Sequence, residues 1–187
     1  MLSNPRPCLA ASRSALRWAA LAAIIALAGC GRREAPPPRP VPTTRPPVSL
    51  PRPLSTTSYV ATAASIDLYA IRAGGLAMER GNARSREYAA RLIADHRGTA
   101  AQLSFAGRRL NLLPAAQMAP PHQAMVDALT GAGDFDAIFR RQQLDIHQTA
   151  QRMHAAFAGR GDSPTLRPVA SNAAAVEARH LDAASGL

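Results

Sequence analysis

Whatever chemistry this chain can do rests on a few histidines and carboxylates. Residues 88–110 read YAARLIADHRGTAAQLSFAGRRL, with Ala89, Leu92, Ile93, Leu103 and Leu110 at helical spacing. His96 falls four residues after Leu92 and seven before Leu103, which places it on the buried stripe of that helix. Glu177 and His180 stand at i and i+3, so they share a helix face in the spacing that di-iron bundles use twice. His147 and, from the first helix, Asp67 are further donors. Carboxylate oxygen and imidazole nitrogen together suit iron, manganese or zinc. Asp95 precedes His96 directly, and adjacent helix positions point about 100° apart. Asp95 is therefore a poor co-ligand of its neighbour and a better partner for a nearby arginine such as Arg91.

Two accounts follow. The plainer one is a layer of buried histidines satisfied across helices through Gln143 or backbone groups. The alternative is a divalent-metal site drawn from Asp67, Asp95, His96, His147, Glu177 and His180. Helix heights can be checked at about 1.5 Å per residue. Counted from a turn near residue 81, Asp67 and His96 are level within about 2 Å. Counted from a turn near residue 161, His147 and His180 are offset by roughly 7–8 Å, which side chains close only in part. A pH-responsive layer is a third reading. His122 and His154 read as surface residues. No catalytic residue is assigned: there is no Gly-x-Ser-x-Gly elbow, no glycine-rich phosphate loop, and the two cysteines, Cys8 and Cys30, both precede the helical part.

The elements that must position these groups are helices. Aromatics make up 4% of the chain and alanine is abundant, which suits helices at close approach better than a sheet. Helix 1 starts at Ser55–Ser58 and runs to about Arg80, with Val60, Ala63, Ile66, Ala70, Gly74 and Ala77 on one face. Gly74-Gly75 inside it is read as permitting close packing. Gly81 stops it and Asn82 caps helix 2, about 83–110, so the two form a hairpin. Pro114, Pro120, Pro121, Gly131 and Gly133 break up residues 111–133 around a short helix at about 121–130. Helix 3 runs over about 135–158, capped by Asp134, with Phe135, Ile138, Phe139, Ile146, Met153 and Phe157 inward. Helix 4 starts near 163–165 and ends near 185, with Leu166, Val169, Ala173, Val176, His180 and Ala184 on one stripe. Two hairpins joined by a long crossover predict an all-α, ferritin-like four-helix bundle.

The formal net charge is +10, carried by 22 arginines and no lysine against 12 acids. Eight of those arginines precede residue 54, and residues 54–187 carry 14 arginines and 11 acids. The folded part is thus nearly balanced, and no nucleic-acid partner is expected. Residues 1–17 are basic and residues 18–28, WAALAAIIALA, are apolar, the length of a signal-peptide core and too short for a stable span. Leu27-Ala28-Gly29-Cys30 then resembles the lipobox of bacterial lipoproteins. That resemblance implies removal of residues 1–29, lipid on Cys30 and a membrane anchor facing the periplasm. Gly31 after the cysteine favours the outer membrane. Residues 35–53 hold nine prolines, a stiff polyproline spacer within the linker 30–53. The bundle domain is expected at 54–187.

Leu76-Ala77, Tyr88-Ala89, Asp95-His96, Leu103, Phe135-Asp136, Phe139, Gln143, His147 and His180-Leu181, in that order and spacing, resemble the ferritin-like domain of unknown function 4142. The resemblance covers roughly 57–185 and implies a bacterial envelope protein. Family members usually carry a glutamate where this chain has Ala70, and an apolar residue where it has Glu177. The expected function is a non-catalytic binding or envelope-integrity module, its partners the membrane through Cys30 and an envelope protein or polymer. The alternative is a bundle that binds iron, manganese or zinc. The sequence assigns no oligomeric state.

Overall fold

The structure is a computed structural model that describes residues 53–187; the leader, Cys30 and nearly all of the proline-rich linker lie outside the described residues. Its elements are α1 (Thr56–Arg80), α2 (Ala83–Arg108), α3 (Pro120–Thr130), α4 (Phe135–Arg160) and α5 (Arg167–Ala184), with no strand among the described residues. Local chemistry sets the boundaries. The Ser55 side chain accepts the Ser58 N–H, Asn82 accepts that of Ser85 and Asp134 accepts that of Ala137, each satisfying a donor left free in a first turn. Pro120 and Pro121 open α3, and Pro168 lies in the first turn of α5, where a missing N–H costs nothing. Gly81 and Gly161 end α1 and α4.

Hydrogen bonds between the ends give the topology. Thr56 bonds Asp162, which brings the start of α1 beside the end of α4. At the other end Asp136 accepts from the Asn82 N–H at 3.1 Å and the Ser85 hydroxyl at 2.6 Å, joining the α1–α2 turn to the start of α4. Helices α2 and α4 therefore run parallel, and residues 109–134 return the chain along the length of the bundle. Helix α1 packs on α2 and α4 on α5, with the hairpins held together through α2–α5 and α1–α4 contacts. The order around the bundle is α1, α2, α5, α4. Helix α3 lies outside, against α1 and α4. Arg80 fixes it by donating to the carbonyls of Leu129, Thr130 and Ala132 at 2.5–2.7 Å. This is the all-α four-helix bundle with a long crossover that the pattern predicts.

The apolar core comes in two pieces. One holds Tyr69, Leu76, Tyr88, Leu92, Leu129, Phe135 and Phe139. The other holds Tyr59, Val60, Leu103, Phe157, Leu166 and Ala170 at the end where the chain enters. Buried polar groups fill the space between them. The glycine pair of α1 divides in role. A Cβ on Gly74 would lie 2.7 Å from Ile93 Cγ1, whereas one on Gly75 meets nothing within 4 Å, so only Gly74 serves close packing.

One boundary differs from expectation with consequences for the site. Residues 164–166 form a turn rather than the first turn of a helix, and α5 begins only at Arg167. Ser163 organises the turn by accepting the Leu166 and Arg167 N–H groups on its carbonyl.

Candidate metal centre

Helix geometry brings the polar residues to one level. Asp67 lies thirteen residues before the end of α1 and His96 thirteen after the start of α2. His147 lies thirteen residues before the end of α4 and His180 thirteen after the start of α5. The expected 7–8 Å offset between the last two is therefore wrong. The six residues between α4 and α5 belong to the turn, and none of them contributes helical rise. Parallel α2 and α4 also set His96 and His147 level, since His147 is twelve residues into α4.

Three imidazoles meet at this height. Ring centroids are 5.7 Å apart for His96–His147, 5.4 Å for His96–His180 and 5.2 Å for His147–His180. All three residues are at most 4% exposed. Glu177 is buried beside them, and donor atoms of His96, His147 and Glu177 all lie within 4.8 Å of one another. Two of the rings are anchored by hydrogen bonds. Asp67 Oδ1 sits 2.8 Å from His96 Nδ1 and accepts the Thr99 hydroxyl at 2.6 Å. Glu177 Oε2 sits 2.5 Å from His147 Nδ1, and Gln143 Oε1 lies 3.1 Å from its Nε2. The anchored His96 turns its Nε2 inward, where it has no hydrogen-bond partner; His180 Nε2 has none either. A carboxylate on one imidazole nitrogen with the other nitrogen free is the arrangement in which outer-shell carboxylates orient metal-binding histidines.

Asp95 does not pair with Arg91, which binds Glu87 at 2.8 Å. It sits on the rim, its Oδ2 3.1 Å from His180 Nε2, close enough for Coulomb attraction yet not aligned as a hydrogen bond. His154 is not a surface residue. It is 4% exposed, with Nδ1 2.9 Å from the Tyr59 hydroxyl and Nε2 3.7 Å from Glu177 Oε1. The signal for it was present: His154 follows His147 by seven residues, two turns along the same face. His122 is half-buried and bonded to Ser65 through Nδ1 at 2.6 Å, tying the crossover to α1.

The electrostatics divide the histidines. Burial alone would depress His96, but the Asp67 hydrogen bond and the fields of Glu177, Asp67 and Asp95 hold its pKa above the ordinary value. Burial pushes His147 and His154 down despite Glu177. His180 falls to about 4, through burial and then through His147 and His96. Burial would raise Glu177, yet the bond from His147 and the nearby rings keep it below the usual carboxylate value. Near neutral pH the layer thus presents an ionised Glu177 and neutral rings at His147 and His180, the forms that bind metals, whereas His96, its pKa raised, gives up a proton when its Nε2 takes an ion.

Four-coordinate donors about 2.1 Å from an ion lie roughly 3.4 Å apart. With donor atoms up to 4.8 Å apart, the widest-spaced pair among His96, His147 and Glu177 must close by about 1.4 Å to reach that spacing, which rotamer adjustment supplies. The donor set is nitrogen and oxygen without thiolate, which suits zinc, copper(II) and iron(II). The roomier surface grooves, about 540 Å³ beside Phe105 and about 650 Å³ beside Arg72, are lined by none of these groups. Among the described residues no helix is long and apolar enough to cross a membrane.

The family described as Domain of unknown function (DUF4142) matches residues 42–187. No curated protein matches the chain in sequence. Two similar solved structures are described as CopM in the Cu(II)-bound form and CopM in the Cu(I)-bound form. The first is 18% identical with a TM-score of 0.61, covering 72% of this chain and 95% of that one. The second is 15% identical with a TM-score of 0.60, covering 71% and 94%. At these identities the likeness is one of fold.

Proposed function

The chain belongs to the DUF4142 family, and on that premise we propose that it is a non-catalytic binding module of the cell envelope whose polar layer holds a divalent transition-metal ion. The observation that carries this reading is the pair of buried, unpartnered nitrogens, His96 Nε2 and His180 Nε2, facing a layer that already contains His147 and an ionised Glu177. Leaving a buried polar atom without a partner costs about 1–3 kcal/mol. An ion between the rings offsets that cost at two atoms together. His96, His147 and Glu177 are the first ligand set and His180 the fourth donor. Asp67 orients His96 from behind. The copper in the two similar structures belongs to those proteins; here it makes copper(II) the first ion to try, ahead of zinc, iron(II) and manganese(II).

The envelope part of the proposal rests on sequence. The basic leader, the apolar run and Leu27-Ala28-Gly29-Cys30 support lipid on Cys30, an outer-membrane anchor facing the periplasm and a proline-rich spacer below the bundle. An envelope protein or polymer is the proposed partner of the outer faces.

A second reading has an observation of its own. From Glu177 a hydrogen-bonded series runs through His147, Gln143, Tyr69 and Gln142 to the Met125 carbonyl. A polar layer so connected can be purely structural. Metal content separates the two. The full chain, its thiols alkylated, is incubated with each ion in turn, dialysed and analysed beside a His147→Ala/His180→Ala double variant. About one copper or zinc per chain, lost in the variant, is expected. A wild type that retains no ion refutes the metal reading and leaves the layer structural.

A further inference from the structure

We propose that Asp95 and His180 form the mouth of this centre, through which a divalent cation is loaded and released, while Arg179 opposes its approach. The inference rests on the metal-binding reading and adds a route to it. A site sealed between two apolar clusters needs a path by which a hydrated ion sheds water stepwise, with a ligand replacing each water lost.

Among the acids of the polar layer only Asp95 is presented to solvent. Its side chain is 39% exposed, against 8% for Asp67 and 2% for Glu177. It is therefore the one carboxylate a hydrated ion can meet without displacing protein. Its Oδ2 lies 3.1 Å from His180 Nε2, a nitrogen that is buried and without a hydrogen-bond partner. A carboxylate oxygen facing an imidazole nitrogen at this distance, out of hydrogen-bond alignment, is an arrangement that a shared cation satisfies at both atoms. The next step inward is short, because the His180 ring stands 5.2 Å from His147 and 5.4 Å from His96. An ion held by Asp95 and His180 can pass to His96, His147 and Glu177 while His180 stays bound and Asp95 returns to solvent.

The other approach fits a cation poorly. A crevice of about 170 Å³ reaches Asp67 between α1, α2 and the crossover, but its walls are chiefly Ala64, Leu68, Leu103, Pro114 and Ala115. Apolar walls offer no atom to exchange for water. Arg179 adds a control at the rim. Its guanidinium nitrogen is 3.9 Å from Asp95 Oδ2 and the side chain is 62% exposed. A fixed positive charge there competes with an arriving cation for the same carboxylate.

The test is kinetic. Copper(II) is mixed with the full chain, thiols alkylated, and its visible absorption followed in stopped flow; a chelator then draws the ion out. Asp95→Asn slows uptake and chelator-driven release alike by about tenfold, with stoichiometry kept, and Arg179→Ala speeds both. Added salt narrows the uptake difference, because exposed charges are screened. Equal rates for wild type and Asp95→Asn overturn the loading role while the metal centre stands. Loss of the ion in Asp95→Asn, with helicity retained by circular dichroism, overturns it too, by making Asp95 an essential ligand. A wild type that takes up no copper overturns both the route and the centre beneath it.

Discussion

Replacing Asp67 by asparagine probes the polar layer at a buried carboxylate that stands behind a single histidine. Asp67 as a residue is 6% exposed, and one of its oxygens serves both His96 Nδ1 at 2.8 Å and the Thr99 hydroxyl at 2.6 Å. Asparagine keeps an acceptor oxygen of the same shape, so packing is preserved and the change is one of charge. His96 also faces the His147 and His180 rings and the Glu177 and Asp95 carboxylates, none of which the substitution alters. In the wild type the pKa of His96 is raised. A raised pKa means the folded state binds the proton more tightly, so the stabilisation is fully present below about pH 6.5 and is lost as pH rises through the folded value. With the charge at position 67 gone, a strong prop of the imidazolium is gone, and burial dominates. A charge-assisted buried hydrogen bond is worth roughly 1.5–3 kcal/mol. The metal-free variant should therefore lose about 2 kcal/mol relative to wild type at pH 5.5 and clearly less at pH 8.5. Urea unfolding at the two pH values, followed by circular dichroism, measures it. A loss equal at both pH values refutes the reasoning, because it would show that Asp67 holds a neutral ring and not a charged one.

Two further outcomes follow. His180, lowered to about 4, should make the metal-free protein acid-sensitive: its neutral-ring stability is present above about pH 6.5 and is lost as pH falls through about 4, a span of up to roughly 3 kcal/mol, so His180→Asn should flatten that limb of the urea profile. Glycines should divide by their surroundings: Gly75→Ala, with nothing within 4 Å of the new Cβ, should raise stability by about 0.5–1 kcal/mol, whereas Gly107→Ala, whose Cβ would lie 2.2 Å from the Leu112 carbonyl oxygen, should lower it by at least about 1 kcal/mol in thermal unfolding.

The sequence by itself determined the helices and their faces. Ser55, Asn82 and Asp134 announce the starts of α1, α2 and α4, Gly81 the end of α1, and the prolines the crossover, because caps and breakers act within a few residues of where they stand. Periodicity likewise placed Asp67, His96, His147, Glu177 and His180 as candidate donors, since a helix fixes the azimuth of each side chain from sequence alone. The same periodicity reaches His154, two turns beyond His147 on the same face. Only the tertiary structure decided which groups meet. Relative height between helices depends on how many residues a turn consumes, and all six residues before Arg167 belong to the turn. Because they add no helical rise, His180 falls back to the level of His147. Asp95 met His180 rather than Arg91 because α2 packs against α5, a long-range neighbour that no local spacing encodes. Azimuth is local and level is not, so sequence named the donors while the bundle decided which of them converge.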